Sequence, residues 1–181
     1  MKGVVFTEFL EMVEDKFSAD MVDDIIDEAN PPSGGAYSAV GTYDHAEIVA
    51  LVVALSAHSG IPTNDLLRIF GEHLFGRFVI GYPGFFEGIT DCFEFLSGIE
   101  NIIHAEVRKL YPDAELPKFE VEQHDADRLV MRYSSKRHFE DLAEGLIHGC
   151  IAYFGGSIVL SRETVAIGDA QYERFSLTKS G

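Results

Sequence analysis

An α+β fold is predicted, with an N-terminal helical subdomain followed by a four-stranded antiparallel sheet that has one inserted helix. Apolar residues recur at helical spacing from residue 4 to about residue 111. From Pro117 the spacing changes to the alternation of strands, and residues 139–154 return to helical spacing between two pairs of alternating segments. With 181 residues, of which 46% are hydrophobic, the chain is long enough for one substantial core. A single domain over residues 1–181 is therefore expected.

The helices are predicted from apolar spacing and from residues that favour helix ends. In the first helix Phe6, Phe9 and Val13 share an apolar face opposite acidic residues. Pro62 and Asn64 are start signals for a later helix. The predicted helices cover residues 4–17, 21–29, 44–57, 62–78, 85–96, 97–111 and 139–154. The core stripe of the helix over residues 97–111 is predicted to be Ile99, Ile102, Ile103, Val107 and Leu110.

Two β-hairpins are predicted from alternating apolar and polar residues. The first joins residues 119–123 to residues 127–137, and the second joins residues 157–165 to residues 171–177. The turn of the second hairpin is placed at Ile167-Gly168-Asp169.

The charge of the chain excludes several classes of partner. It has 14 Lys and Arg against 30 Asp and Glu, a net charge of -16, so no nucleic acid and no anionic membrane is expected as a partner. Cys92 and Cys150 have no metal-binding or disulfide spacing, which favours free buried thiols of a reducing compartment. The N-terminus does not resemble a signal peptide, and the longest apolar run, residues 48–57, is too short to cross a bilayer. A cytoplasmic protein is expected.

A small basic island stands out in this acidic chain. If residues 127–137 form a strand, Tyr133, Ser135 and Arg137 share one face. A phenol, a hydroxyl and a forked guanidinium all donate hydrogen bonds, and together they suit a ligand with carboxylate or phosphate groups. The alternative is a strand end whose charged side chains face water, and an isolated Y-x-S-x-R motif favours that interpretation.

Histidine is the other residue type with possible chemistry. Four of the seven histidines lie near predicted helix ends, in a turn or beside the basic island: His45, His58, His124 and His138. His73, His104 and His148 lie within predicted helices, where a structural role is the default. No spacing typical of a metalloprotease, a di-iron site or a catalytic triad is present. A lone histidine beside apolar helices can still bind a metal whose other ligands come from a macrocycle, as in haem.

Together these features closely resemble the H-NOX (haem nitric oxide/oxygen binding) family, which is related to the haem domain of soluble guanylate cyclase. The resemblance covers essentially the whole chain and includes the Met-Lys-Gly start, His104 on its helix, the segment Tyr133-Ser-Ser-Lys-Arg137 and the apolar helix that follows. It implies that haem b is bound, with His104 as the proximal iron ligand. Tyr133, Ser135 and Arg137 would then bind the two propionates.

The resemblance implies further roles for named residues. Pro117 matches a proline that presses on the haem and keeps it non-planar, and Gly71 and Gly145 match glycines about which the N-terminal helices pivot. Where oxygen-binding members carry a distal tyrosine and polar neighbours, this chain has Leu142, Leu74 and Phe9. None of these can donate a hydrogen bond; if the alignment shifts by one turn, Phe139 or Phe154 replaces Leu142, also without a donor. Val5, Phe78 and Leu146 complete the expected pocket.

By the same resemblance, the chain is expected to be a bacterial stand-alone sensor of nitric oxide. Ferrous haem would bind NO and CO and exclude stable oxygen binding, because bound oxygen gains from a donor that this pocket lacks. Binding of NO would break the bond between iron and His104, and the haem would relax against Pro117. The expected output partner is a sensor histidine kinase or a cyclic-di-GMP enzyme, since the chain leaves no room for a catalytic domain, and acidic residues 20–28 offer a docking face.

Two other classes of function remain open at this point. A haem oxidase or peroxidase is disfavoured, because the expected distal residues include no histidine or arginine to move protons. A haem-free acidic binding module would use Tyr133, Ser135 and Arg137 for another anion.

Overall fold

The computed structural model of the protein describes residues 1–168 and 170–180. Its N-terminal part consists of α1 (Gly3–Lys16), α2 (Ala19–Ala29), α3 (His45–Ser59) and α4 (Thr63–Gly81). The Ser18 hydroxyl accepts from the Met21 amide at 3.0 Å and caps α2, and left-handed residues at Asn30 and Gly60 end α2 and α3. Among the described residues no single helix has the length and apolar composition to cross a membrane; α3 and α4 reach them only as a pair bent by 112°.

The region between α4 and the sheet differs from the two helices predicted over residues 85–96 and 97–111. A short 3₁₀ turn (Pro83–Phe85) and a left-handed Gly88 come first, and the next helix begins only where Asp91 caps the Phe93 and Glu94 amides. From there α5 (Cys92–Gly98), a π-helical segment (Ile99–Ile103) and α6 (His104–Leu110) follow one another without a break.

The predicted core stripe of this helix is wrong in part. Ile102 and Leu110 are 52% and 66% exposed, whereas Ile99, Ile103 and Val107 line a cavity. The prediction assumed 3.6 residues per turn throughout. A π-helical turn closes its hydrogen bond between residues i and i+5, so it rotates the residues around it away from the positions that a regular α-helix gives them.

The C-terminal part is a four-stranded antiparallel sheet. It consists of β1 (Lys118–His124), β2 (Arg128–Ser134), β3 (Ile158–Ile167) and β4 (Ala170–Lys179), in the order β1-β2-β4-β3. Helix α7 (Glu140–Phe154) is inserted between β2 and β3. This arrangement confirms the predicted α+β fold and both hairpins; Asp169, in the predicted turn of the second hairpin, lies outside the described residues.

Two apolar clusters form the interior. The first contains residues of the four helices α1, α2, α3 and α4, including Phe6, Leu55 and Phe70. The second contains residues of α5, α7 and the inner face of the sheet, including Phe93 and Phe175. The two cysteines are free and buried, as predicted, and they meet in the second cluster with their Sγ atoms 3.6 Å apart. Burial and the hydrogen bond with Cys92 raise the pKa of the Cys150 thiol, so this thiol is expected to be unreactive.

Helices α4 and α7 connect the two clusters by direct backbone contact. A Cβ atom on Gly71 would overlap the carbonyl oxygen of Leu142, and a Cβ atom on Gly145 would overlap the carbonyl oxygen of Arg68. Both glycines have helical φ angles, so it is space and not conformation that requires them. The helices cross at a distance that only glycine permits.

Replacing Gly71 with Ala should therefore lower the free energy of unfolding by about 1–3 kcal/mol, because the added methyl group must push backbone atoms apart. Gly76 lies on the same helix with no atom within 4 Å of an added Cβ. Gly76→Ala is the matched control, and it should raise the free energy of unfolding by about 0.5–1 kcal/mol through better helix propensity. Urea unfolding followed by far-UV circular dichroism measures both, and equal stability of the two variants would contradict the close contact.

Candidate cofactor site

A cavity of about 1090 Å³ lies between the helical part and the sheet. Its volume is at the upper end for small-molecule and cofactor sites. Most of its lining is apolar and comes from α1, α4, α5, α6 and α7. Ten of the residues that the sequence predicted for the site line this one cavity: Val5, Leu74, Phe78, His104, Pro117, Tyr133, Ser135, Arg137, Leu142 and Leu146.

Phe9 is the predicted pocket residue that the structure places elsewhere. It is fully buried in the helical cluster, where its ring packs edge-on against Phe70 with 5.2 Å between centroids. Val5, one turn earlier on α1, lines the cavity instead. Val5 and Phe9 are four residues apart on α1 and share a helix face, but only Val5 of the two lines the cavity. Of the two alternatives to Leu142, Phe139 lines the cavity and Phe154 packs against Phe95 away from it.

His104 is the first residue of α6 and directly follows the π-helical segment. Its Nδ1 lies 3.1 Å from Oε2 of Glu100. Burial lowers the pKa of His104 in spite of this carboxylate, which favours the neutral imidazole at neutral pH. An ionised carboxylate only accepts hydrogen bonds, so Nδ1 carries the proton and Nε2 carries the lone pair. Within the described chain Nε2 makes no hydrogen bond, and the side chain lines the cavity, as a metal ligand requires.

Glu100 is a site residue that the sequence reasoning missed. Besides His104, it accepts hydrogen bonds from Arg108 Nη2 at 2.7 Å and from the Phe119 amide at 3.3 Å. Burial favours its neutral form, but these three hydrogen bonds outweigh burial and lower the pKa of Glu100. The signal in the sequence is a glutamate four residues before a helical histidine, a spacing that places both side chains on one helix face.

The hydrogen-bond donors reach the cavity by a route other than the predicted strand. Strand β2 ends at Ser134, so of the three donors only Tyr133 lies on its inner face, and the prediction that Ser135 and Arg137 continue that face is wrong. A turn brings them to the cavity: the Arg137 amide donates to Ser135 Oγ at 3.1 Å, and His138 has a left-handed φ of 54°. The alternating pattern of β2 ends at Ser134 and not at Arg137, because the chain turns there before α7 begins.

The chemistry of these donors suits carboxylates. Burial raises the pKa of Tyr133 to about 12, so its phenol keeps its proton and can donate. The Arg137 guanidinium donates to the backbone oxygen of Glu115 at 3.1 Å and to its carboxylate at 2.8 Å. Glu115 is 79% exposed, so an ordinary surface carboxylate already occupies this guanidinium. Arg137 is therefore placed to bind a carboxylate at the edge of the cavity.

Several further polar residues line the cavity beyond those predicted, among them His45 and Tyr82. His45, expected to be solvated or capping, begins α3 and lies beside Phe139 with 6.3 Å between ring centroids. Tyr82 is 41% exposed and packs edge-on against Phe78. In the part of the chain that the structure describes, no group of three or more His, Cys, Asp or Glu side chains is arranged to bind a metal ion.

A family model described as Haem-NO-binding matches residues 2–162 of the sequence. The chain belongs to the H-NOX family. An H-NOX protein from K. algicida, solved as the unliganded Fe(II) form, is 41% identical over 100% of this chain and 97% of that chain, with a TM-score of 0.92. The IWP-051-bound H-NOX from Shewanella woodyi in the Fe(II)CO ligation state is 39% identical, covering 99% and 95% of the two chains, with a TM-score of 0.85. No curated protein matches significantly.

Members of the H-NOX family are haem-based gas sensors, and the residues of this cavity fit haem. One neutral imidazole, His104, is available to an iron atom. Tyr133, Ser135 and Arg137 supply donors for two carboxylates, and the remaining lining is mainly apolar, as a porphyrin requires.

Replacing Arg137 with Met should speed the loss of haem to a scavenger protein by about 10–100-fold, the value of a charge-assisted hydrogen bond. Arg132→Met is the matched control. Arg132 carries the same charge on β2 but pairs with Glu120 and does not line the cavity. The rate of haem loss is followed in the Soret region. Equal rates for the two variants would show that Arg137 does not contribute to binding.

Proposed function

We propose that this protein is a sensor that binds nitric oxide and CO at haem b and does not bind oxygen stably, with His104 as the iron ligand. The observation that carries the proposal is the composition of one cavity, in which α6 supplies a neutral histidine while α4 and α7 supply the apolar Leu74 and Leu142. Bound haem would supply a ferrous iron with one coordination position open to a diatomic gas. The Haem-NO-binding family and the CO-ligated relative from S. woodyi support this assignment.

Discrimination against oxygen rests on the side chains that α4 and α7 contribute. Oxygen bound to ferrous iron draws electron density and is stabilised by a hydrogen-bond donor, whereas NO needs little such help. Leu74, Phe78, Leu142 and Leu146 line the cavity, and none of them donates a hydrogen bond. The Tyr82 phenol can donate a hydrogen bond and also lines the cavity, where its ring packs against Phe78, and it is partly exposed to solvent.

Signalling in this proposal begins with release of His104 from the iron after NO binds. His104 lies at the start of α6, and α6 is tied to β1 through Glu100 and the Phe119 amide. Pro117 lines the cavity just before β1. Release of His104 therefore acts on the junction between the helical part and the sheet. The proposed receiver is a sensor histidine kinase or a cyclic-di-GMP enzyme, with acidic α2 as the docking face.

The whole chain acts as one haem-binding unit in this proposal, and it has no enzymatic activity of its own. The family supports this, because H-NOX domains are sensor domains and not catalytic ones. The buried free thiols of Cys92 and Cys150 are those of a reducing compartment, which favours the cytoplasm.

Replacing His104 with Ala should abolish retention of haem through gel filtration, because it removes the imidazole proposed to bind the iron; His45 also lines the cavity, but its side chain is 44% exposed and lies beside Asp44. His148→Ala is the control: it lies on α7, half-exposed, with Glu144 as its partner at 3.9 Å. Visible spectra of the dithionite-reduced proteins make the comparison. A His104→Ala protein with the five-coordinate ferrous spectrum of the wild type would overturn the ligand assignment.

Replacing Leu142 with Tyr should raise the oxygen affinity of the ferrous protein by about 10–100-fold, since a phenol placed there can donate to bound oxygen. Leu142→Phe adds the same ring without the hydroxyl and should give no gain. The wild type should convert to a nitrosyl spectrum with NO and form no stable oxygen complex in air. If the wild type does hold oxygen, the apolar-pocket argument fails, and Tyr82→Phe would show whether that phenol is the donor.

A further inference from the structure

Glu100 connects His104 to the rest of the molecule by three hydrogen bonds. Its Oε2 is 3.1 Å from His104 Nδ1 and accepts from the Phe119 amide at 3.3 Å, while its Oε1 accepts from Arg108 Nη2 at 2.7 Å. Both oxygens are therefore occupied, and the partners come from α6 and from β1. The carboxylate is largely buried, as is the imidazole.

Glu100 lies in a helical segment whose backbone geometry is unusual. Glu100, His104 and Arg108 follow one another at intervals of four residues, so they form a single stripe along the helix. Glu100 belongs to the π-helical segment, and the His104 amide donates to the carbonyl of Ile99, five residues earlier. Such π-helical turns are frequently found at functional sites.

We propose that Glu100 is the positioning residue that sets the strength of the bond between His104 and the haem iron, and so the ease with which NO releases His104. The inference rests on the proposed function. A carboxylate that accepts the Nδ1 proton fixes the tautomer with Nε2 as the ligand atom, fixes the ring orientation and makes the imidazole a stronger electron donor. Arg108 keeps that carboxylate ionised and in place.

The Phe119 amide gives this carboxylate a second task. Phe119 is the second residue of β1 and lies two residues after Pro117, and its ring is 6.0 Å from the His104 ring. Glu100 therefore holds the imidazole relative to β1 and not only relative to its own helix. A change in the iron–histidine bond is transmitted through this carboxylate to the sheet.

A merely structural role for Glu100 would leave the iron–histidine bond unchanged once the protein is folded. The test is therefore the iron–histidine stretching frequency of the reduced protein, measured by resonance Raman spectroscopy. The frequency should fall from wild type to Glu100→Gln, whose amide oxygen still accepts a hydrogen bond without charge, and fall further in Glu100→Leu. Arg108→Met should lie between wild type and Glu100→Leu. The control is Glu106→Gln, which removes an acidic residue of α6 that pairs with Lys109, and it should match the wild type.

Release of His104 after mixing with NO gives a second readout. Loss of a second-shell partner typically changes metal affinity or activity by about 10–100-fold, so release should be on the order of 10-fold faster in Glu100→Leu. An unchanged frequency and an unchanged release rate in a Glu100→Leu protein with normal haem content would overturn the inference. A wild type that takes up no added haem would instead overturn the proposed function, so the two failures are distinguishable.

Rescue by a free ligand keeps the test decisive if Glu100→Leu does not fold with haem. His104→Gly, loaded with haem in the presence of a free ligand, should bind imidazole about 10-fold more tightly than 1-methylimidazole, because only imidazole has an N–H that can donate to Glu100. Adding Glu100→Gln should reduce that preference. Equal affinity for the two ligands in His104→Gly would overturn the inference.

Discussion

The contact between α4 and α7 is the constraint on which the rest of the structure depends. Without side chains at Gly71 and Gly145 the two backbones touch, and this contact fastens the helical cluster to the cluster beneath the sheet. Carboxylates of α7 surround the crossing: Asp141 binds Arg68 of α4 and Arg162 of β3, each at 2.9 Å. The cavity exists because the two clusters are joined along this line and stand apart on one side of it.

A second connection closes the cavity on the side of α6, and it is of a different kind. The glycine contact is steric and depends on the shape of two rigid helices. The connection through Glu100 consists of hydrogen bonds, which weaken steeply with changes in distance and angle. Arg108 and the Phe119 amide both converge on this one carboxylate. The molecule therefore has one junction set by steric contact between two backbones and one set by hydrogen bonds to a single carboxylate.

Sequence periodicity predicted most of the fold because most helices here are regular and amphipathic. It failed where the backbone leaves regular geometry. Ile102 lies within the π-helical turn and Leu110 is the last residue of α6, so both are exposed, and the end of β2 at Ser134 placed Ser135 and Arg137 in a turn. Helical spacing shows which residues face the core but not which of them reach a cavity. Phe9 was therefore expected to line the cavity together with Val5, whereas only Val5 does.

The site residues were easier to predict as chemistry than as geometry. Tyr133, Ser135 and Arg137 were expected together from their donor properties, and His104 was expected from the resemblance to the H-NOX family; the structure brings all four to one cavity by a route that alternation did not predict. Glu100 was missed because the histidines were tested for metal-binding spacings and not for a carboxylate partner four residues away. A helical histidine with such a partner and a buried ring is a stronger candidate for a ligand than spacing alone indicates.

The net charge of the chain and the local charge at the site act on anions in opposite directions. A net charge of -16 repels anions at a distance, yet Arg137 binds a carboxylate at short range because its donors are fixed by the turn after β2. Local geometry outweighs net charge, since screening shortens the reach of distant charges to about 8–10 Å in ordinary salt. In the proposed sensor this has a consequence for selectivity. An uncharged gas is unaffected by the acidic surface, so access to the iron is governed by the apolar side chains of α4 and α7, and the response to binding is governed by the carboxylate of Glu100.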